Sequence, residues 1–215
     1  MVLKGVRILE KPILFSTEMV KAILEGRKTQ TRRKIKFDLS NLETDKNDKT
    51  FAKLEDEYGD SHDLIEYAPY HAGDTLWVRE TFCYDDFDNG GETVYYKANF
   101  GERHIKELFT DCGMKWTPSI HMPRAAARLF LKVTDVRCER LQNITGDGVL
   151  KEGVKLACHR EFDNCSAYPC DFMHTGSCKD KFVTLWNSTV KKQDLDRYGW
   201  DSNPWVWVIE FERMA

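Results

Sequence analysis

No stretch of eighteen consecutive apolar residues occurs in the 215-residue chain, which excludes a membrane-spanning helix of the usual length. The first ten residues lack the apolar core of a secretory signal, so a cytoplasmic protein is expected. Proline is scarce, with six in all, and no Pro/Gly/Ser-rich linker divides the chain. No internal repeat is visible either. One domain is therefore the expectation for residues 1–215. Seven cysteines are present but none forms a Cys-x-x-Cys pair, so the strongest sequence sign of a zinc knuckle is missing. In a cytoplasmic setting these cysteines are not read as a disulfide framework.

What is present supports a folded core: 41% of residues are hydrophobic and 12% aromatic. The net charge of -3 says little, but its distribution is uneven. Residues 27–36 (RKTQTRRKIK) hold six basic side chains and no acid, whereas residues 38–66 hold ten Asp or Glu against three Lys. A basic hotspot in an acidic chain suggests an anionic ligand at one place. The same run also suits the end of a helix, where cations meet the negative pole of the dipole.

Residues 12–15 read as a short strand. Ser16 or Thr17 then caps a helix with Met19, Val20, Ile23 and Leu24 on its apolar face, and Gly26 ends it. The basic run follows on a loop or the start of a strand. Residues 38–66 are weakly periodic and read as a partly flexible excursion. Gly73-Asp74 marks a turn, with strands expected at 75–82 and 94–98. Residues 124–138 alternate as a half-buried strand carrying Ala127, Leu129, Leu131 and Val133 on one face. Thr145 opens a helix holding Val149, Leu150 and Glu152. Phe182, Leu185, Trp186 and Thr189 share a helical spacing. The last strand, Trp205–Arg213, is apolar on both faces and belongs in the middle of a sheet or in a barrel. This order predicts an α+β fold rather than alternating βαβ units.

Residues 23–33 (ILEGRKTQTRR) resemble the signature of the ASCH family: a helix end, Gly, a basic residue, then Lys-Thr-x-Thr and Arg. Residues 72–78 (AGDTLWV), 141–154 (LQNITGDGVLKEGV) and 205–212 resemble later family segments in the right order. Residues 77–82 (WVRETF), 121–124 (HMPR) and 201–208 (DSNPWVWV) are similar to a phage-associated branch. The resemblance implies a PUA-like small mixed β-barrel with flanking helices, interrupted by an acidic insertion at about 37–68 and a Cys-rich insertion at about 155–180. It also implies a phage or prophage origin. Another branch of the family hydrolyses N4-acetylcytidine to cytidine and acetate. Its active-site Lys, Thr and Glu fall on Lys28, Thr31 and Glu152. An amidohydrolase acting on an acylated nucleoside is the implied activity, with no cofactor required for catalysis.

Amide hydrolysis needs a nucleophile, a base and a proton donor for the leaving amine. Thr31 is the expected nucleophile. Lys28 is the expected base, its pKa depressed by burial and by Arg27, Arg32 and Arg33. Glu152 orients Lys28, protonates the leaving amine, or activates a water directly. Gly146 and Gly148 weaken the helix that must carry Glu152. The alternative for this segment is a phosphate-binding corner, with Thr29, Thr31 and the arginines holding a nucleic-acid backbone without chemistry.

Arg79 and Glu80 are candidates to line the cavity beside Lys28, or else form a rim ion pair. His121 and Arg124 flank Pro123, where a structural turn competes with a ligand contact; Arg124 is kept among the substrate-binding candidates with Arg27, Thr29, Arg32, Arg33, Arg79 and Glu80. Trp116 and Trp200, in loop-like sequence, are the candidates for base stacking. Cys158, Cys165, Cys170 and Cys178 lie within 21 residues. They are expected to close a structural zinc site that orders a segment poor in apolar residues. Reduced thiols or a labile disulfide are the alternatives. The expected partner is a nucleoside or RNA, with no membrane association. The rivals to an enzyme are a non-catalytic RNA- or nucleotide-binding module and a phage structural or interaction protein.

Overall fold

The computed structural model describes residues 9–36, 42–44, 52–55, 61–85, 93–101, 115–155 and 175–214. In chain order the elements begin β1 (Glu10–Leu14), α1 (Thr17–Leu24), β2 (Gln30–Lys34), β3 (Leu42–Thr44), β4 (Ala52–Glu55) and β5 (Ser61–Asp63). Next come β6 (Thr75–Arg79), β7 (Phe82–Asp85), β8 (Thr93–Tyr96) and β9 (Phe130–Arg140). The chain closes with α2 (Gly146–Lys151), α3 (Thr175–Thr189), α4 (Leu195–Tyr198) and β10 (Trp205–Arg213). A mixed five-stranded sheet runs in the order β1-β6-β9-β10-β2, a three-stranded sheet in the order β3-β4-β5, and β7 pairs with β8. The class is α+β, as the order of patterns along the sequence predicts. No helix among the described residues is long and apolar enough to cross a membrane.

The chain divides into two compact units. One comprises Met1–Gly26, Ala72–Thr134 and Phe211–Ala215, and the other comprises Arg27–His71 and Asp135–Glu210. In the first unit β1 lies parallel to β6, with Ile13 opposite Val78, and β6 is antiparallel to β9. Ser16 caps α1 by accepting from the Met19 amide at 3.4 Å. Val20, Ala22 and Ile23 are the residues α1 buries, while Met19 and Leu24 are half-buried. Gly26, at φ +74°, ends it in the left-handed region that glycine adopts without strain. The Gly73-Asp74 turn also forms as expected. Asp74 is buried, and its carboxylate accepts from the Leu9 amide at 3.2 Å and from Lys11 Nζ at 2.7 Å.

Several strand boundaries in this unit differ from the sequence reading: β1 runs Glu10–Leu14 rather than 12–15, and β8 ends at Tyr96, where a 3-10 turn follows at Lys97–Asn99. Residues 75–82 do not form one strand, because the chain breaks between β6 and β7 at Glu80, whose buried side chain is held by Arg128. The long strand starts at Phe130 rather than 124, since Pro123 leads into a 3-10 turn, Arg124–Ala126. Within β9, Leu131 and Val133 are buried and Lys132 is exposed, as the alternation predicts.

In the second unit β10 pairs antiparallel with β2, placing Thr31 opposite Ile209 and Gln30 opposite Glu210. Val206, Trp207, Val208 and Ile209 are all buried, so β10 is covered on both faces as its composition requires. Leu141, Ile144 and Val149 pack with Phe182 and Trp186 of α3 and with Val206 and Val208 in one apolar cluster. Residues 38–66 are more regular than expected. Their described stretches pair as a meander, with Leu54 opposite Leu42 on one side and His62 on the other. Strands of three and four residues are too short to leave a clear period in the sequence.

Candidate active site

The site is built where the chain enters β2 and meets the end of α2. Thr145 caps α2 by accepting from the Gly148 amide at 3.0 Å. Seven residues later the helix stops at Glu152, and Gly153 turns away at φ +87°. The last carbonyls of such a helix need donors from outside it. The basic run supplies them in antiparallel order: the Thr29 amide donates to Lys151 O at 3.0 Å, Lys28 Nζ to Glu152 O at 2.8 Å, and Arg27 NH1 to Gly153 O at 2.7 Å. Lys28 and Glu152 also form a backbone β-bridge. Three expected site residues, Arg27, Lys28 and Thr29, thus meet three successive residues of the α2 end, and the cations lie at the negative pole of its dipole.

The side chains of Lys28 and Glu152 meet as well. Lys28 Nζ donates to Glu152 Oε2 at 2.9 Å, with side-chain exposures of 1% and 6%. Its third donor reaches Gln30 O at 2.8 Å, so the ammonium has three acceptors. Arg32 NH1 donates to the other carboxylate oxygen, Glu152 Oε1, at 3.1 Å. Burial pulls the Lys28 pKa below its ordinary value; the Glu152 charge opposes this, and Arg33 and Arg32 add to the depression.

Thr31 is buried in β2. Strand alternation sets it on the face opposite Gln30 and Arg32. The ammonium on the Gln30 carbonyl is nevertheless one peptide away, and standard geometry puts Nζ within about 6 Å of Thr31 Cα. Arg33 shares the Thr31 face, and burial lowers its pKa against the opposing influence of Tyr70 and Glu152. Burial likewise raises the Tyr70 phenol, opposed by Arg33. Tyr70 was not anticipated; one aromatic in a loop carries no period that marks it as part of a site.

Arg32 is turned inward. Besides Glu152 it donates from NH2 to Glu139 Oε2 at 3.3 Å, and its Nε has no hydrogen-bond partner among the described residues. Glu139 Oε1 accepts from Arg137 Nε at 2.6 Å, and Arg137 NH1 reaches Glu210 Oε1 at 2.7 Å and Asp135 Oδ2 at 2.9 Å. The Gln30 amide is oriented by its neighbours: its nitrogen donates to Glu210 Oε1 at 3.3 Å and its oxygen accepts from Arg32. Arg32, Glu139, Arg137, Glu210 and Gln30 therefore close a ring of side chains from β2, β9 and β10. Gly148 lies beneath this ring: a Cβ there would sit 3.2 Å from Ile144 Cγ1, 3.3 Å from Thr145 Oγ1 and 3.6 Å from Arg32 NH2. The glycine that weakens α2 in isolation is the one that leaves room for Ile144 and for the capping oxygen of Thr145, while Arg32 lies at ordinary contact distance.

Glu80, Arg79, Arg124, His121 and Trp116 lie in the first unit, and Trp200 and Cys178 in the second. Glu80, 1% exposed at its side chain, accepts from Arg128 Nε at 2.8 Å and NH2 at 2.9 Å. Arg128 also stacks on Tyr96 and donates to Asn99 Oδ1. Arg79 lies over Trp77 and donates to Ile120 O. Arg124 is exposed, paired with Glu10 at 2.9 Å and stacked on Phe130, and His121 ends a 3-10 turn. Trp116 is half-buried near Phe100, and Trp200 packs on Phe182 with Lys179 over its ring. Cys178 is buried in the apolar cluster of α3; Cys158, Cys165 and Cys170 lie outside the described residues.

No protein-family model, no curated protein and no solved structure matches this chain.

Proposed function

We propose that this protein is an amidohydrolase that removes an acyl group from a modified nucleoside such as N4-acetylcytidine, on a PUA-like barrel of the ASCH type and of phage or prophage origin. One observation carries the reading: the buried Lys28–Glu152 pair at 2.9 Å, one peptide from Thr31. A buried ion pair contributes little stability that apolar side chains of similar volume would not. A lysine whose pKa is depressed by burial is the kind that serves as a base.

In the proposed reaction the pair shifts its proton from Lys28 to Glu152, leaving a neutral amine. Lys28 Nζ takes the Thr31 hydroxyl proton as Thr31 Oγ1 forms a bond to the acyl carbon. The carbon–nitrogen bond then breaks, and the exocyclic nitrogen takes the proton back from Lys28. Water hydrolyses the acyl-threonine ester, releasing the carboxylic acid and restoring Thr31. The net change is one amide and one water to one amine and one acid. The cysteine-rich segment has no part in these steps, and any zinc it holds is structural in this reading.

The test is turnover of N4-acetylcytidine by the purified protein, followed by mass spectrometry, beside Lys28→Ala. Release of cytidine by the wild type alone is the expected result. Equal turnover by both proteins removes Lys28 from the chemistry. No turnover by either, over a panel of acylated nucleosides, replaces the enzyme with a nucleotide- or RNA-binding module, whose affinity would fall with salt.

A further inference from the structure

The five-membered ring that ends on Arg32 has no place in the reaction steps above, yet every one of its members is hydrogen-bonded to two others. We propose that Arg32, held by Glu139 and Gln30, is a positioning residue that sets the protonation of Lys28 by sharing the Glu152 carboxylate. The proposal rests on the amidohydrolase reading for its purpose, but not for its geometry.

Three charged groups share hydrogen bonds in the dry inner part of the site, with side-chain exposures of 1% for Lys28, 2% for Arg32 and 6% for Glu152. They are two cations and one anion. The next anion outward, Glu139, is 16% exposed and is shared with Arg137. The inner group thus has more positive charge than one carboxylate can balance. Arginine does not release its proton in proteins, whereas lysine does so readily when buried. The imbalance therefore falls on Lys28. Arg32 cannot swing away to relieve it, because NH2 is held by Glu139 and the guanidinium also donates to Gln30, which Glu210 holds in turn.

The other charged groups near Lys28 act in known directions. Glu152, from the end of α2, favours the ammonium, while Arg33 and Arg32, from β2, oppose it. Arg27 is engaged with Gly153 O, and Tyr70 acts on Arg33. Removing Arg32 leaves the Glu152 carboxylate hydrogen-bonded to Lys28 alone, with Arg33 as the remaining cation acting on both, and favours the ammonium. Removing the Glu139 charge has the opposite effect: the site becomes more positive, and Arg32 turns more fully to Glu152. A residue that only held the fold together would weaken stability in both variants without driving Lys28 in opposite directions.

The experiment is an NMR titration of Lys28 in the full chain labelled with 13C,15N-lysine, its resonance assigned by its loss in Lys28→Arg. In Arg32→Met the Lys28 midpoint is expected to rise by about one to three pH units, the usual effect of a charge this close. In Glu139→Gln it is expected to fall. No movement in either variant, or movement of both in one direction, overturns the proposal. If Arg32→Met does not fold, Glu139→Gln decides alone: a fall supports the proposal, and a rise or no change overturns it. The titration needs no substrate, so a failure of acetylcytidine turnover and a failure of this proposal are separate results. If turnover is observed, the pH dependence of kcat/KM moves in the same two directions.

Discussion

Glu152→Gln is the substitution that probes the buried pair most directly. The change keeps the shape and removes the charge between Lys28 and Arg32, leaving Arg32 paired with Glu139. The variant has two ways to fold. It can keep both cations, and stripping one partner from a buried pair costs about 3–5 kcal/mol. Alternatively, it can release the Lys28 proton. At about pH 7 that costs about 1.36 kcal/mol for each of the roughly 3.5 units to the ordinary lysine pKa, or about 4.8 kcal/mol. The routes agree, so a loss of about 3–5 kcal/mol at neutral pH is expected. Lys28 keeps the Gln30 and Glu152 backbone carbonyls, each at 2.8 Å, in either state, so the chain still folds. The sign of the pH dependence follows from the Lys28 pKa lying below its ordinary 10.5 in the folded protein. Between the two values the unfolded chain binds one more proton than the folded one. Stability therefore rises with pH through that window, by at most about 1.4 kcal/mol per unit. Urea unfolding followed by fluorescence of the six tryptophans measures it. A loss below about 1 kcal/mol that stays flat from about pH 6 to about pH 9 refutes the reasoning, because Lys28 would then reach water in the folded state.

Two further substitutions test parts of the frame. Gly148→Ala would stabilise an exposed helix by about 1 kcal/mol; here the added carbon crowds Ile144 and the capping oxygen of Thr145. A net loss of about 1 kcal/mol is expected in thermal denaturation, and a gain would mean that α2 is looser than described. Glu80→Gln removes a buried carboxylate from the two hydrogen bonds that Arg128 donates to it. Arg128 is 24% exposed at its side chain and keeps partial access to water, so the expected loss, read from urea unfolding, is about 2 kcal/mol rather than the larger value for a fully buried pair.

The local elements were the legible part of the sequence. The Ser16 cap, the Gly26 stop, the Gly73-Asp74 turn, the Thr145 cap and the doubly apolar β10 each rest on neighbouring residues. The site was legible only in part. Lys28 and Glu152 are 124 positions apart, and no periodicity joins them; only the resemblance set them side by side. The ring around Arg32 left no mark in the sequence. Gln30 and Arg32 in β2, Asp135, Arg137 and Glu139 in β9, and Glu210 in β10 each look like the polar, solvated face of a strand. Opposite charges meeting across strands bury what each strand alone would expose, and Arg32, expected to hold a ligand, is satisfied largely from within. The break at Glu80 was missed for a related reason: the partner that draws its side chain inward, Arg128, is 48 positions away.

The contact between residues 27–29 and 151–153 has a consequence for association between chains. β2 is the last strand of its sheet, and an uncovered outer rim of backbone invites pairing with another molecule. The end of α2 pairs with the two residues that lead into this strand, through the Thr29–Lys151 hydrogen bond and the Lys28–Glu152 bridge. Whatever loosens this turn therefore does two things at once: it dismantles the proposed chemistry and bares a template for aggregation.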